Sequence, residues 1–565
     1  MPVAQLLLIK ISSKSTNRAV KRLSLGMQGE KKYTEKLFTS FQLSDRVPES
    51  NFYRQLKERL NLEFMRDISK GYYGNCGQKS IDPVVFMKLM LAGYMENICS
   101  DRQLMQHCAM RMDILYFLGY DIDEPLPCHS TLSRTRNLLP ETLFEECFSR
   151  VLSMCVASGM VSGHTQAIDS APIKANASMD SLELKVASAD LEEYLQKVRA
   201  QSRVDRQTKS PEEKDEPKDK IGGVVSPSGE PRRKAKQNRA KEADREVQAS
   251  KQELQEIAAR NKNWRSTQTE RPGARNKNSK YTSNKTHYSP VDPDARISVK
   301  PGKARKLNYH AQMAVDTAHH VITHLEADYA DRVDSLSLPA VVNSLESRLR
   351  NQGLLWRNVL ADAGYSSGEN YAMLEERGMQ TYIPPHGTYK GGPAGFSYHE
   401  AEDYWECARG EKVTFRKIQV EKSGNKKKLY LTKPSQCKGC PQKTTCIGKS
   451  PEKRITITAY RAEYERVKAR LKSKRGKQMR SKRSSTVEPV FGTLTQFMGL
   501  RKINTRGKSN ASKCMLCAAM AYNLKKYLKF SRNKAEVLAK AAQSSVLAFI
   551  SPYRLILSPN PTFNF

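Results

Sequence analysis

Tyr309-His310-Ala311-Gln312-Met313-Ala314-Val315-Asp316, then Thr317 to His320, then Val321-Ile322-Thr323-His324-Leu325-Glu326-Ala327, is the stretch on which the fold turns. Tyr309, Ala311, Met313 and Val315 alternate with their neighbours, the period of a strand with one buried face. Thr317 to His320 is a hairpin-length connection, so the two runs predict an antiparallel pair. Upstream, Thr165 to Ile173 reads as another strand and carries Asp169. Downstream, Ser335 to Leu349 reads as a helix, and Asn358-Val359-Leu360-Ala361 as a short buried strand ending at Asp362-Ala363-Gly364-Tyr365. Ser366 with Glu369 caps a helix through Arg377, and Gln380 to Ile383 is a strand before Pro384-Pro385. Ser484 to Met498 and Ser512 to Lys529 read as helices.

Three consecutive strands followed by alternating helices and strands describe a mixed sheet with helices on both faces, as in ribonuclease H-like nucleases, so the class expected is α+β or α/β. Before this sheet, Asn51 to Met160 is helical text. Asp82-Pro83 is an N-cap with proline at the first helical position, and Ser100-Asp101-Arg102-Gln103 reads as a capping box. Ser130 is expected to cap a short helix, Thr131 to Arg136, and Pro140 to open a longer one with apolar residues at 143, 144, 147, 148, 151, 152 and 155. The expected organisation is an unstructured leader at 1–28, with Met27 a candidate start, then a helical DNA-binding domain at 29–160. A ribonuclease H-like catalytic domain at 161–530 follows, interrupted at 178–290 and 386–455, and then a tail at 531–565.

The 565 residues hold 95 Lys+Arg against 59 Asp+Glu, a net charge of +36, which calls for a polyanionic partner. Residues 461–530 carry 19 of the cations against Glu463, Glu465 and Glu488. No run is long and apolar enough for a membrane helix, and Leu6-Leu7-Leu8-Ile9 is shorter than the apolar part of a secretory signal. The expectation is a cytoplasmic, nucleoid-associated protein without a membrane. Arg134 and Arg136, on the short helix, are candidates for touching duplex DNA, against the plainer reading of a helical packing domain with a basic face.

On the expected sheet, Asp169 lies within the first strand, Asp362 at the end of the fourth, and Glu488 on a late helix. Three carboxylates brought together can hold two divalent ions about 3.5–4 Å apart, one activating a water or 3′-hydroxyl and the other stabilising the departing oxygen. An all-oxygen donor set suits Mg²⁺ or Mn²⁺. Asp316, Asp328, Asp331 and Asp334 compete for the same role.

Several strings then carry a family resemblance. They are Asp292-Pro293-Asp294-Ala295-Arg296, Asn308-Tyr309-His310-Ala311-Gln312 with Val315-Asp316, Ala361-Asp362-Ala363-Gly364-Tyr365-Ser366-Ser367, and Val487-Glu488-Pro489-Val490-Phe491-Gly492. Together, from about residue 40 to about 530, the chain resembles the DDE transposases of bacterial insertion sequences, in the group with a helical InsH-like head. The resemblance implies Asp169 (within Ala167-Ile168-Asp169-Ser170), Asp362 and Glu488 as the catalytic acids. Relatives often show Tyr-x2-Arg-x3-Glu-x6-Lys around the glutamate; here those positions are Ser481, Ser484, Glu488 and Thr495. Lys482 and Arg483 lie one or two residues from the expected arginine, and Arg501, Lys502 and Arg506 are candidates to replace the lost lysine on phosphate.

The first insertion begins with a helix (Leu184, Ala187, Leu191, Leu195, Val198) and includes a charged helix near Arg239 to Arg260, either an arm along DNA or a solvated hairpin. The second, strongly polar and expected to have little apolar core of its own, holds Cys437-Lys438-Gly439-Cys440, Cys446 and Cys407. Four thiolates of this kind can close a structural Zn²⁺ site, the alternative being reduced, unoccupied thiols. The function expected is that of a transposase, a polynucleotidyl transferase that binds terminal inverted repeats, cuts at the ends and joins the freed 3′-hydroxyl to target DNA. It would act as a homo-oligomer assembled on double-stranded DNA. The alternatives are a DNA-binding protein that no longer cuts, and a nuclease without strand transfer.

Overall fold

The computed structural model describes residues 40–74, 80–184, 284, 287–298, 305–387, 389, 391–421 and 425–556, with 538–556 as backbone only. The leader 1–28 with Met27, the head as far as residue 39, Cys76, most of the first insertion with its two helices, and 557–565 lie outside the described residues.

The helical head runs α1 (Leu43–Arg46), α2 (Phe52–Arg59), α3 (Phe64–Ser69), α4 (Pro83–Met95), α5 (Asp101–Ala109), α6 (Met112–Leu118), α7 (His129–Leu138) and α8 (Glu141–Ala157). Its starts follow cap chemistry. The Asp82 carboxylate accepts the Val84 amide at 2.8 Å with Pro83 in the first turn, and Ser100 Oγ accepts the Gln103 amide at 3.4 Å. α8 buries Leu143, Phe144, Cys147, Phe148, Val151, Leu152 and Cys155, the whole of the expected stripe. α7 differs from expectation. It opens at His129 after Cys128, because the Ser130 hydroxyl turns to Cys128 Sγ at 3.4 Å and caps nothing.

β1 (Thr165–Lys174) starts the sheet. β2 (Glu183–Leu184) and β3 (His287–Tyr288) pair antiparallel where the chain leaves for the first insertion and returns. β4 (Arg296–Ser298), β5 (Lys306–Asp316), β6 (Ile322–Tyr329), β7 (Asn358–Leu360) and β8 (Gln380–Tyr382) complete it. The spatial order is β6-β5-β1-β7-β8, with β4 beside the start of β5. β5 is antiparallel to β1 and β6, whereas β7 runs parallel to β1 and β8 parallel to β7. This is the mixed sheet expected, and the class is α+β. The alternation in β5 proves misleading, since Gln312, Ala314 and Asp316 are as buried as Tyr309 to Val315 on the other face. Both faces are covered, by α9 (Asp334–Asn351) among others, so polar residues between the apolar ones are engaged in buried networks.

α10 (Gly368–Glu376) is capped by Ser367, whose Oγ accepts the Asn370 amide at 3.1 Å, one residue later than expected. α11 (Arg461–Lys472) was not anticipated, and α12 (Lys474–Phe497) starts ten residues before Ser484, capped by Ser473 on the Gly476 amide. Gly476 is required by close approach, as a Cβ there would sit 2.2 Å from the Arg470 carbonyl oxygen. α13 (Lys508–Ile556) is far longer than the expected Ser512 to Lys529 and takes in most of the supposed tail. It packs against β6, α4 and α8 and so joins head and sheet in one core. Asn523 both donates to the Ile322 carbonyl (2.8 Å) and accepts its amide (2.9 Å), while Ser512 accepts the Ala327 amide (3.1 Å). These bonds satisfy backbone groups that β6, at the edge of the sheet, would otherwise leave unpaired.

The second insertion forms its own sheet, β9 (Phe396–His399), β10 (Tyr404–Cys407), β11 (Lys412–Val420), β12 (Lys426–Leu431) and β13 (Arg454–Thr458), in the order β13-β12-β11-β10-β9. It has a core after all, of Trp405, Val413, Tyr430 and Ile455 with Tyr398 and Phe396 packed against it. Its text is polar by residue count, but large aromatic rings each bury enough area to organise a small sheet.

Candidate active site

β1 and β7 are parallel neighbours with Ala167 opposite Leu360, and Asp169 and Asp362 each follow two residues later. Two acids 193 positions apart in sequence therefore come to the same end of a parallel strand pair, Asp169 within β1 and Asp362 in the turn just past β7. Asp362 ends its strand in a turn held by its own side chain, which accepts the Gly364 amide at 2.9 Å. Asp169 Oδ1 accepts the Ser170 amide at 2.8 Å, and Asp169 Oδ2 accepts Arg483 Nη1 at 2.9 Å. The second nitrogen of that guanidinium, Nη2, lies 3.6 Å from Glu488 Oε1. Burial pushes the Asp169 carboxyl up to about 6, against the pull of Arg483, and nearby Asp362 adds to the rise. Glu488 itself is 63% exposed, on α12 just before Pro489.

Behind the acids lies a buried polar chain. Tyr365 donates to Gln312 Oε1 at 2.6 Å, and Gln312 Nε2 donates to Asp334 Oδ1 at 3.2 Å. Burial, with Asp334, Asp169 and Asp362 close by, holds the Tyr365 hydroxyl well above its ordinary range, so it stays a donor. Gly364 separates Asp362 from Asp334, because a Cβ there would come within 3.1 Å of the Asp362 carboxylate and 3.2 Å of the Asp334 carboxylate.

Of the competing acids only Asp334 therefore approaches the pair. Asp316, on β5 opposite Gln166 and so three pairs from Asp169, is fully buried, accepting Gly163 N and Gln166 Nε2 at 2.8 Å each. Asp328 accepts the Ser337 hydroxyl at 2.6 Å, and Asp331 lies 3.5 Å from Arg296. As the side chains stand, no three Asp, Glu, His or Cys groups among the described residues converge on one point to hold a metal ion. The space between Asp169 and Glu488 is spanned by Arg483 instead.

The comparisons with known proteins point the same way. Residues 41–138, most of the helical head, match the Transposase domain (DUF772), and residues 406–528 match a Transposase DDE domain. Both matches are to transposase domains, and the chain is similar in these two stretches to the DDE transposases. The DDE match takes in the end of β10, α11, α12 with Glu488 and the first part of α13, and it leaves Asp169 and Asp362 upstream. No curated protein matches this chain.

The candidate DNA contacts fall into two groups. Arg134, Lys482, Arg501 and Lys502 are exposed. Residues 501–503 run along the end of β1, where the Ile503 amide donates to the Lys174 carbonyl at 2.8 Å, and Arg506 is half-buried just beyond. Arg136 is a correction. It is 2% exposed, with both terminal nitrogens on Asp101 at 2.7 and 3.0 Å, and its carbonyl accepts Lys513 Nζ. Its guanidinium holds the head together and offers nothing to DNA in this fold. Arg483 is likewise turned from solvent to the acids, unlike the other five cations from Lys474 to Lys482, which are all exposed.

Cys407, Cys437, Cys440 and Cys446 line one cavity of about 520 Å³ in the second insertion. Cys437 to Cys440 form a type II turn, with Lys438 at φ −71°, ψ 122° and Gly439 at φ +80°, closed by the Cys440 amide on the Cys437 carbonyl at 3.4 Å. Glycine is needed there for the positive φ. No helix among the described residues is long and apolar enough to cross a membrane.

Sequence reasoning missed Gln312 and Tyr365 as parts of the site, although both lie in strings it singled out. The signal was present, since an amide inside a run of buried strand residues needs a polar partner. It also took Arg483 for a phosphate contact, and no spacing rule could have turned that side chain toward Asp169.

Proposed function

We propose that this chain is a transposase that cuts at the ends of its element and joins the freed 3′-hydroxyls to target DNA, with Asp169, Asp362 and Glu488 as the catalytic acids. The observation that carries the reading is the placement of Asp169 on β1 and Asp362 just past the end of parallel β7, with Glu488 linked to Asp169 through one guanidinium. The residues fit divalent cations: the donors are carboxylate oxygens alone, and a cationic group already stands between two of them. Two such ions, Mg²⁺ or Mn²⁺, would activate the attacking oxygen and stabilise the departing one. The protein's part is to present the acids from three separate elements. The Tyr365-Gln312-Asp334 chain fixes the turn that carries Asp362. Exposed Lys482, on the same helix as Glu488, and exposed Arg501 and Lys502, at the far end of β1, are available to hold phosphates. For the cysteine cavity we propose a structural Zn²⁺, supported by the four thiols that line it and by the turn at Gly439 between Cys437 and Cys440; the thiols would have to draw together around the ion.

The test is end cleavage of DNA carrying the element's terminal repeats, in Mg²⁺, by the wild type and by Asp169→Asn. Cleavage with joined products in the wild type and neither in the variant is expected. Cleavage without joining would favour a nuclease, and repeat binding without cleavage would favour a protein that only recognises DNA.

A further inference from the structure

We infer that Arg483 holds the place of a metal cation between Asp169 and Glu488, so that metal entry and the Arg483 bridge exclude one another. The inference rests on the reading of Asp169, Asp362 and Glu488 as metal ligands. Arg483 Nη1 lies 2.9 Å from Asp169 Oδ2 and Nη2 lies 3.6 Å from Glu488 Oε1, so a single planar fork spans two acids from different elements. The side chain is 19% exposed, whereas Lys474, Arg475, Lys477, Arg480 and Lys482 on the same helix all face solvent. A helix with so many cations would not need to bury one unless something there required charge. Asp169 supplies that requirement: its other oxygen accepts the Ser170 amide, and the carboxylate is mostly buried and near Asp362, with little water to screen it. A guanidinium and a divalent ion cannot share the same carboxylate oxygen, since like charges in a poorly hydrated pocket repel strongly. When the ion enters, Arg483 must swing away, and the nearest destination for a released guanidinium on this basic helix is a DNA phosphate, which its fork fits. Bare acids are thus kept neutralised, and the same residue becomes available to substrate once the site is loaded.

The test uses the full chain without DNA and Mn²⁺ as the probe, followed by electron paramagnetic resonance of the free ion and by thermal melting. Arg483→Gln should bind Mn²⁺ about tenfold more tightly than wild type, as expected when one charge-assisted competitor is removed. In metal-free buffer it should melt below wild type, and saturating Mn²⁺ should close that gap. Arg483→Lys, which keeps the charge but cannot span both acids, should bind with intermediate affinity, and it serves alone if the glutamine variant does not fold. Equal Mn²⁺ affinity in wild type and in the folded Arg483 variants, with binding lost in Asp169→Asn, would overturn the inference and leave the metal reading standing. Mn²⁺ binding indifferent to Asp169→Asn would overturn the metal reading, and the inference with it.

Discussion

Asp169 and Asp362 stand side by side because β1 and β7 run parallel in register, each acid two residues beyond the Ala167–Leu360 pair. Asp169 is held within its strand, and Asp362 is held by the turn just past β7, which its own carboxylate closes on the Gly364 amide. Replacing either acid should remove function without disturbing the scaffold. Asp169→Asn and Asp362→Asn, like Glu488→Gln, should each lower end cleavage to background while repeat binding stays within about threefold of wild type, since each removes a charged ligand and little volume. Normal cleavage by Asp362→Asn would transfer its role to Asp334, which lies just across Gly364.

Arg134 and Arg136, two residues apart on α7, should behave differently. Arg136→Ala leaves Asp101 without its partner inside the head and should destabilise the protein by about 3 kcal/mol, read as a lower melting temperature. Arg134→Ala, at an exposed position, should leave melting unchanged and reduce the preference for repeat over random DNA. An unchanged melting temperature for Arg136→Ala would show that the Asp101 contact contributes little.

Affinity for repeat DNA should fall steeply with salt. If about six phosphates are neutralised, the loss between about 50 and 200 mM is on the order of 10³, because each contact releases counterions. Filter binding or anisotropy across that range gives the slope, and a flat one would contradict the role given to the basic surface around α12.

The purified chain should contain about one zinc, lost when Cys437 and Cys440 are both replaced by serine. Because the five-stranded sheet has only a small core around Trp405 and Tyr430, loss of the ion should make this module the first part cut in limited proteolysis. A folded, fully active chain without zinc would leave the four thiols unoccupied.

Much of the sheet was legible because its information is local. The strand text of residues 165–173, 309–316, 321–327 and 358–361 is dense, and Asp82 and Ser100 mark their helix starts, whereas Ser130 and Ser366 do not. Position alone left Asp316, Asp328, Asp331 and Asp334 in competition with Asp169, Asp362 and Glu488, and it was the family resemblance that implied the three acids. What could not be read was set by contacts distant in sequence. Arg136 resembled a surface cation until Asp101 was found 35 residues away, and Arg483 resembled a phosphate contact until it met Asp169 across 314 residues. The core of the second insertion escaped because four residues from four strands make it, too few to mark the composition of seventy.

α13 has a consequence for the order in which the protein can be completed on the ribosome. The residues that cover the β6 edge and the faces of α4 and α8, from Ser512 to Leu528, are synthesised after the helices of the head and the strands of the sheet. Until they emerge, the head and the sheet each present an uncovered apolar face, and β6 an unpaired edge. A message cut short before residue 508 therefore yields two unfinished halves, and not a shorter protein with an intact helical head.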